Sequence, residues 1–152
     1  MRKIIGILIA MIILGMAETL CFAEGSAKIT VVATVVARVT ESVIHQETEV
    51  NVTEEDIQKG FVEIPSGTIL RVKTNARSGY GLFFEGWSDV FKDISVIDKG
   101  RITVVSPNGG LIHQPYPKGN FEVKDLSYRL QLKEDIRPGS YPWPFRVRAS
   151  LL

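Results

Sequence analysis

The sequence has little of the chemistry that most enzymes and metal sites need. Its 152 residues include one cysteine, Cys21, and two histidines, His45 and His113. A zinc site uses three or four ligands at short local spacings, and many serine hydrolases use a GxSxG elbow; neither pattern occurs. We therefore predict no catalytic residue, no metal site and no cofactor, and we interpret both histidines as surface or strand-end residues.

An excess of charge of either sign is also lacking. Lysine and arginine together number 18, aspartate and glutamate number 17, and the formal net charge is +1. Proteins that bind DNA or RNA concentrate positive charge to neutralise phosphates. The balance argues against a nucleic acid as partner.

An apolar run long enough to cross a membrane is missing as well. Residues 4–16 form a 13-residue apolar run, whereas a spanning helix needs about 20 residues. A cationic start precedes this run and Cys21-Phe22-Ala23 supplies a small-x-small pattern after it, so residues 1–23 are predicted to be a secretory signal peptide. The alternative, a lipidated Cys21, lacks the small residues that should precede the cysteine.

Cleavage after residue 23 would give a secreted protein, in the periplasm during transit and then at the cell surface or outside the cell. It would leave no membrane attachment and would remove the single cysteine, so no internal disulfide could form. A chain of this length can still bury enough apolar surface to fold without covalent crosslinks. We expect residues 24–152 to form one domain.

Extended segments dominate the region after residue 23. Residues 28–40 (KITVVATVVARVT) contain no Gly or Pro and are rich in β-branched side chains, which is the strongest strand pattern in the sequence. One face of this segment is wholly apolar, with Ile29, Val31, Ala33, Val35, Ala37 and Val39. The segment is predicted to be either the first strand of the domain or a strand donated to another molecule.

Further strands are predicted where turn residues separate β-rich pieces. They are residues 42–53, 61–64, 68–74, 79–85, 94–97, 101–105, 121–132 and 141–149. Thr53 is predicted to cap a short helical turn that Gly60 ends. Seven to eight strands without a long amphipathic helix predict an all-β fold, an immunoglobulin-like antiparallel β-sandwich.

The last strand carries the most specific geometry. Tyr141, Trp143, Phe145, Val147 and Ala149 share one face and are predicted to point into the core. Pro142 and Pro144 share the other face and remove two donors from one edge. This strand therefore begins at a sheet margin or at a bulge.

A cluster of aromatic residues lies in the middle of the chain. Tyr80, Phe83 and Trp87 are candidates for an exposed ligand platform, for example for a glycan. The alternative is that these aromatic side chains belong to the core.

The overall pattern resembles a known family. A signal peptide, a long alternating strand after it and the closing segment PGSYPWPFRVRAS are similar to secreted pilin-like sandwiches of the spore coat protein U and archaic chaperone–usher pilin type. The resemblance implies a structural, non-enzymatic subunit of an extracellular filament or coat that assembles by β-strand donation. Its partners would be other copies or related subunits, with a periplasmic chaperone and an outer-membrane usher.

Applied to this sequence, the resemblance implies specific residues. The donor side chains would be Ile29, Val31, Ala33, Val35 and Ala37, and the acceptor edge would include Tyr141, Trp143, Phe145 and Val147. The chain departs from the family's common pattern by lacking a disulfide and by the two prolines of the last strand. The competing hypothesis is a self-contained secreted β-sandwich that binds a protein or a glycan.

Overall fold

A computed structural model describes residues 30–119 and 121–152. The predicted signal peptide and Ile29 lie outside the described residues. Residues 35–152 form one compact unit. Residues 30–34 belong to a separate unit; they lie in no helix or strand and are exposed.

The described residues form ten strands and one short helix. In chain order they are β1 (Val39–Gln46), β2 (Glu49–Val52), α1 (Glu54–Lys59), β3 (Phe61–Thr74), β4 (Tyr80–Gly86), β5 (Phe91–Asp98), β6 (Arg101–Val105), β7 (Gly110–Gln114), β8 (Phe121–Leu132), β9 (Gly139–Pro142) and β10 (Phe145–Ser150). No helix among these residues is long and apolar enough to cross a bilayer.

The strands pair in three antiparallel ladders. One sheet has five strands in the order β1-β3-β8-β5-β6, a second has three in the order β10-β4-β7, and β2 pairs with β9 alone. The prediction of an all-β fold with antiparallel sheets is confirmed.

The core lies between the sheets because alternate residues of the strands are apolar. In β8 the buried row is Lys124, Leu126, Tyr128, Leu130 and Leu132, and in β4 it is Tyr80, Leu82 and Phe84. Tyr128 of the five-stranded sheet meets Phe145 of the three-stranded sheet with ring centroids 4.9 Å apart, and Trp143 lies 5.0 Å from Phe145. These rings join the two sheets in a sandwich-like arrangement.

The helix α1 follows the predicted capping pattern. Thr53 Oγ1 accepts a hydrogen bond from Asp56 N at 3.2 Å, and Asp56 Oδ2 accepts one from Thr53 N at 3.0 Å, which closes a capping box. Gly60 ends the helix in the left-handed conformation with φ of 80°. The prediction for both residues is confirmed.

This capping box has a measurable contribution to stability. Replacing Thr53 with Ala should lower the free energy of unfolding by about 1 kcal/mol, because a backbone donor at the helix start loses its acceptor. Urea denaturation measures the change, and Thr34→Ala, at an exposed position, is the control that should change nothing. An unchanged urea midpoint for Thr53→Ala would show that α1 does not depend on its cap.

The same box makes stability depend on pH. The side-chain hydrogen bond from Thr53, followed by its backbone hydrogen bond, lowers the pKa of Asp56. A lowered folded-state pKa contributes stability above the unfolded aspartate value of about 3.9 and loses it as pH falls through the folded value. The stability difference between the wild type and Asp56→Asn should therefore shrink below about pH 4.

The segment 65–67, predicted as a break between two strands, lies inside the single long strand β3. Its pairing with β8 shifts between Ile64 and Thr68, so the strand is kinked there rather than ended. Ser66 adopts φ of 52°. A Cβ on Gly67 would lie 2.9 Å from the Trp143 ring, so only glycine lets the aromatic cluster approach this kink.

Three other strand predictions need correction. The predicted strand 42–53 is interrupted at residues 47 and 48, between β1 and β2. Residues 30–38 of the predicted strand 28–40 belong to no ladder, and β1 begins only at Val39. The predicted strand 141–149 is divided at Trp143 and Pro144 into β9 and β10. Trp143, Phe145 and Val147 are buried as their alternation predicts, while Tyr141 and Ala149 are half-buried.

Candidate functional site

The outer edge of β10 is the backbone edge that faces away from β4. Trp87 N donates to Pro144 O at 3.0 Å, so Pro144 and every second residue after it turn their backbone groups toward β4. The backbone N–H and C=O groups of Phe145, Val147 and Ala149 therefore point away from β4. Within the described residues β4 is the only ladder neighbour of β10.

Two side chains from β1 occupy part of this outer edge. Gln46 Nε2 donates to Phe145 O at 3.2 Å, and a carboxylate oxygen of Glu41 accepts from Ala149 N. Between them, Val147 presents an N–H and a C=O for which the described strands supply no ladder partner. A backbone edge with such groups is a template for another strand.

The prolines do not block this edge. Pro144 lies on the β4 side of the strand, and its carbonyl is the group bonded by Trp87. On the outer side, Trp143 N donates to Thr48 O at 2.9 Å, just before the open stretch begins. The missing proline donors therefore affect the inner side, and the outer edge keeps its amides from Phe145 onward.

The inner face of β1 is also left uncovered beside this edge. Val43 pairs with Leu70 and Glu41 pairs with Val72, so these β1 side chains point the same way as buried core residues. Leu70 is 1% exposed, yet Val43 is 50% exposed. The sheet's inner face is therefore covered over β3 but left open at Val43 of β1.

A groove of about 960 Å³ adjoins this edge at its Ala149 end. It is lined by Val39 and Glu41 of β1, by Arg148, Ala149 and Ser150 of β10, and by outward residues of β4 and β7 including Phe83 and Leu111. The groove thus adjoins the β10 edge at Ala149 and extends from there over the outward face of the three-stranded sheet; we call it the edge groove. This combination suits an extended peptide better than a compact ligand.

The N-terminal extension, residues 30–38, has the complementary properties. It makes no ladder, and its large apolar side chains are exposed: Val31 83%, Val32 82%, Val35 80% and Val36 65%. An exposed β-branched segment with unpaired backbone groups is prone to pair with strands of other molecules.

Asn75 fixes the point where the extension leaves β1. Its side-chain oxygen accepts from Arg38 N at 2.6 Å and its side-chain nitrogen donates to Val36 O at 3.0 Å. Thr74 Oγ1 donates to Arg38 O at 3.0 Å. These contacts hold residues 36–38 as the chain leaves β1 without giving them a strand partner.

The predicted acceptor residues do not present their side chains to a partner. The side chains of Trp143, Phe145 and Val147 fill the core, and Tyr141 belongs to β9. At its outer edge β10 therefore exposes backbone groups. Among the predicted donor residues, Val31, Ala33, Val35 and Ala37 are exposed, and Ile29 lies outside the described residues. Sequence reasoning missed Glu41, Gln46 and Asn75, because their roles depend on a strand edge that only the fold creates.

The predicted aromatic platform is not assembled. Tyr80 is 0% exposed and its hydroxyl donates to Glu122 Oε1 at 2.5 Å, so the prediction of an exposed Tyr80 is wrong. The reason is strand alternation, which turns Tyr80 inward with Leu82. Phe83 faces outward into the edge groove and Trp87 is 56% exposed in the loop after β4.

Neither histidine lies in a reactive cluster. His45 is exposed beside Glu47 at 3.3 Å, and His113 is exposed with Nε2 3.3 Å from Ser78 O. Over residues 30–119 and 121–152, no group of three or more His, Cys, Asp or Glu side chains is placed to hold a metal ion.

Comparison with family models, with curated proteins and with solved structures found no match.

Proposed function

We propose that this protein is a secreted, non-enzymatic subunit of an extracellular filament or coat that assembles by β-strand donation. In each contact, the N-terminal extension of one copy adds to the outer edge of β10 in the next copy. The observation that carries the proposal is the pairing of an open β10 edge with an unpaired, exposed β-branched segment in the same chain. The immunoglobulin-like character of the sandwich is part of this proposal.

Energetics favour this use of the extension. Removing valine side chains from water contributes about 1.5–3 kcal/mol for each one fully buried. New backbone hydrogen bonds to Val147 would add to this, and each contributes about 0.5–1.5 kcal/mol net. The extension has four large apolar side chains more than 60% exposed, so several can be covered in one contact.

The composition of the extension favours a second copy over the same molecule as acceptor. Residues 30–38 (TVVATVVAR) contain no Gly, Pro, Asn or Asp. β1 already flanks its own β10 edge through Glu41 and Gln46, so a segment that returned to that edge would need a tight reversal, and those residue types make one. Without a turn, the segment continues away from β1 and is available to another molecule.

The proposal includes the path to assembly. Secretion through the predicted signal peptide would deliver the subunit to the periplasm, where a chaperone would cover the edge groove, and an outer-membrane usher would order the subunits. An exposed strand edge needs such protection because edges pair promiscuously.

A labelled peptide tests the proposal directly. A fluorescent peptide with the sequence of residues 28–40 is added to the full chain, and binding is followed by anisotropy. Hydrogen exchange then locates the site, and we expect new protection of Val147, which lacks a ladder partner on its outer side. A peptide with Val35 changed to Asp is the matched control and should not bind.

Two results would contradict strand donation. One is a chain that stays monomeric at all concentrations and does not bind the peptide, which would favour the self-contained binding module. The other is binding whose protection maps to β6 or β7, since those edges are not part of the proposal.

Removing the Glu41 contact should change the rate of this binding. Because the Glu41 carboxylate must leave Ala149 N before a strand can pair there, Glu41→Ala should speed peptide association by about threefold to tenfold. Stopped-flow anisotropy measures the rate. The control is Glu63→Ala, which removes a carboxylate that contacts Arg129 at 2.6 Å and lies outside the edge groove; equal rates for both variants would show that Glu41 does not guard the edge.

A further inference from the structure

A buried charged cluster lies at the edge of the core, four residues along β8 from Tyr128. Lys124 occupies the inward row of β8 and is only 4% exposed. Its Nζ lies 2.8 Å from Asp98 Oδ2, 2.7 Å from Gln114 Oε1 and 3.3 Å from Glu122 Oε2. The edge groove does not include these residues.

The cluster is more constrained than an ordinary surface ion pair. Asp98 ends β5 opposite Leu126 in the ladder with β8, so the backbone brings it within reach of Lys124. The other oxygen, Asp98 Oδ1, is buried and has no hydrogen-bond partner among the described residues. Burying a lysine and a carboxylate together costs several kcal/mol in desolvation for each ion, which their attraction must offset.

We propose that Lys124 and Asp98 form an isopeptide bond, an amide between the lysine Nζ and the aspartate Cγ. The proposal does not depend on strand donation. A nitrogen hydrogen-bonded to a carboxyl oxygen is already close to the distance of about 3–3.5 Å at which reacting atoms meet in a near-attack arrangement.

The reaction is a dehydration that needs no oxidant. A proton passes from the Lys124 ammonium to the Asp98 carboxylate, which removes two buried charges at once. The Nζ lone pair then attacks Cγ, a C–N bond forms, and a C–O bond breaks. Two protons of the original ammonium leave with that oxygen as water.

Glu122 is placed to move the second proton. Its Oε2 contacts Lys124 Nζ, while its Oε1 accepts from the Tyr80 hydroxyl at 2.5 Å. Burial, and then the hydrogen bond to Glu122, raise the pKa of Tyr80, so the phenol remains protonated and keeps Glu122 oriented. In this position Glu122 can accept the proton from the attacking nitrogen and deliver it to the leaving oxygen.

Such a bond would give the sandwich a covalent crosslink. The chain's single cysteine, Cys21, precedes every described residue, so within residues 30–119 and 121–152 a disulfide cannot form. An amide between residues 98 and 124 would close a loop that contains β6 and β7 and would tie the end of β5 to β8. It would resist mechanical and thermal opening at that end of the sandwich.

Mass spectrometry of the purified wild-type chain tests the proposal. After tryptic digestion, we expect the peptides containing Asp98 and Lys124 to appear as one linked species, lighter by one water than their sum. Cleavage after Lys124 should also be lost. The surface pair of Lys59 and Glu55, with a contact of 2.6 Å but high exposure, is an internal control that should stay unlinked.

Variants separate the chemistry from the fold. Lys124→Arg keeps the charge but cannot form this amide, and its peptides should be recovered separately. Glu122→Gln should slow linkage by at least about 100-fold while circular dichroism stays that of the wild type. If a variant does not fold, the wild-type peptide map still decides the question.

Recovery of both wild-type peptides unlinked from folded protein would overturn the proposal and leave a buried ion pair. Loss of water mapped to another site would overturn it equally.

Discussion

Replacing Val35 with Asp should abolish assembly of the full chain. In the free molecule Val35 is 80% exposed, so the substitution should not alter the fold of the subunit. In a donated strand the same side chain would enter the edge groove, where burying an unpaired carboxylate costs several kcal/mol. We expect the association constant to fall at least about 100-fold, measured by analytical ultracentrifugation.

Thr34→Asp is the matched control for this prediction. Thr34 is exposed, adjacent in sequence and on the opposite face of the extension, so its carboxylate would remain in water in the assembled state. It should reduce association by no more than about threefold, as expected for one added surface charge. If both variants assemble like the wild type, or if both fail equally, the proposed inward face of the extension is wrong.

Replacing Phe145 with Ala should cause the largest loss of stability of any single substitution proposed here. Its ring is 0% exposed and lies 4.9 Å from Tyr128, 5.0 Å from Trp143 and 5.7 Å from Phe84. Truncation of such a ring costs about 3–5 kcal/mol, because it removes the contacts of the ring and leaves a cavity between the two sheets. The midpoint of urea denaturation should fall accordingly.

Phe121→Ala is the matched control, because it removes the same aromatic side chain from an exposed position. Phe121 lies in β8 but is 56% exposed, with the Arg71 guanidinium 5.7 Å from its ring centre. Its loss should change the free energy of unfolding by no more than about 1 kcal/mol. A smaller loss for Phe145→Ala than for Phe121→Ala would contradict the aromatic contact between the sheets.

Local patterns were predictable wherever neighbouring residues alone decide the conformation. The capping box of Thr53 and the end of α1 at Gly60 depend on groups within a few residues, and both were predicted. The bounds of β8 were predicted at Phe121–Leu132 because its alternation is long and uninterrupted. The inward direction of Trp143 and Phe145 followed from the same period of two.

Longer-range features were missed for identifiable reasons. β7 (Gly110–Gln114) is short and lies between turn residues, and its pairing with β4 gives it a strand conformation that its composition does not signal. Residues 65–67 are of types that favour turns, yet β3 continues through them because the residues before and after them pair with β8. The ten observed strands exceed the predicted seven to eight because β7 was not predicted and the predicted strands 42–53 and 141–149 are each divided, although 61–64 and 68–74 join in β3.

The sequence by itself determined the all-β class, the helix cap and the apolar face of the extension, since each depends on residue type and local spacing. Only the tertiary structure decided that β10 has an open outer edge, that Glu41 and Gln46 reach it, and that Lys124 meets Asp98. These features join residues 26 to 108 positions apart. The strand order in the sheets brings such distant residues together, and no local sequence pattern encodes that order.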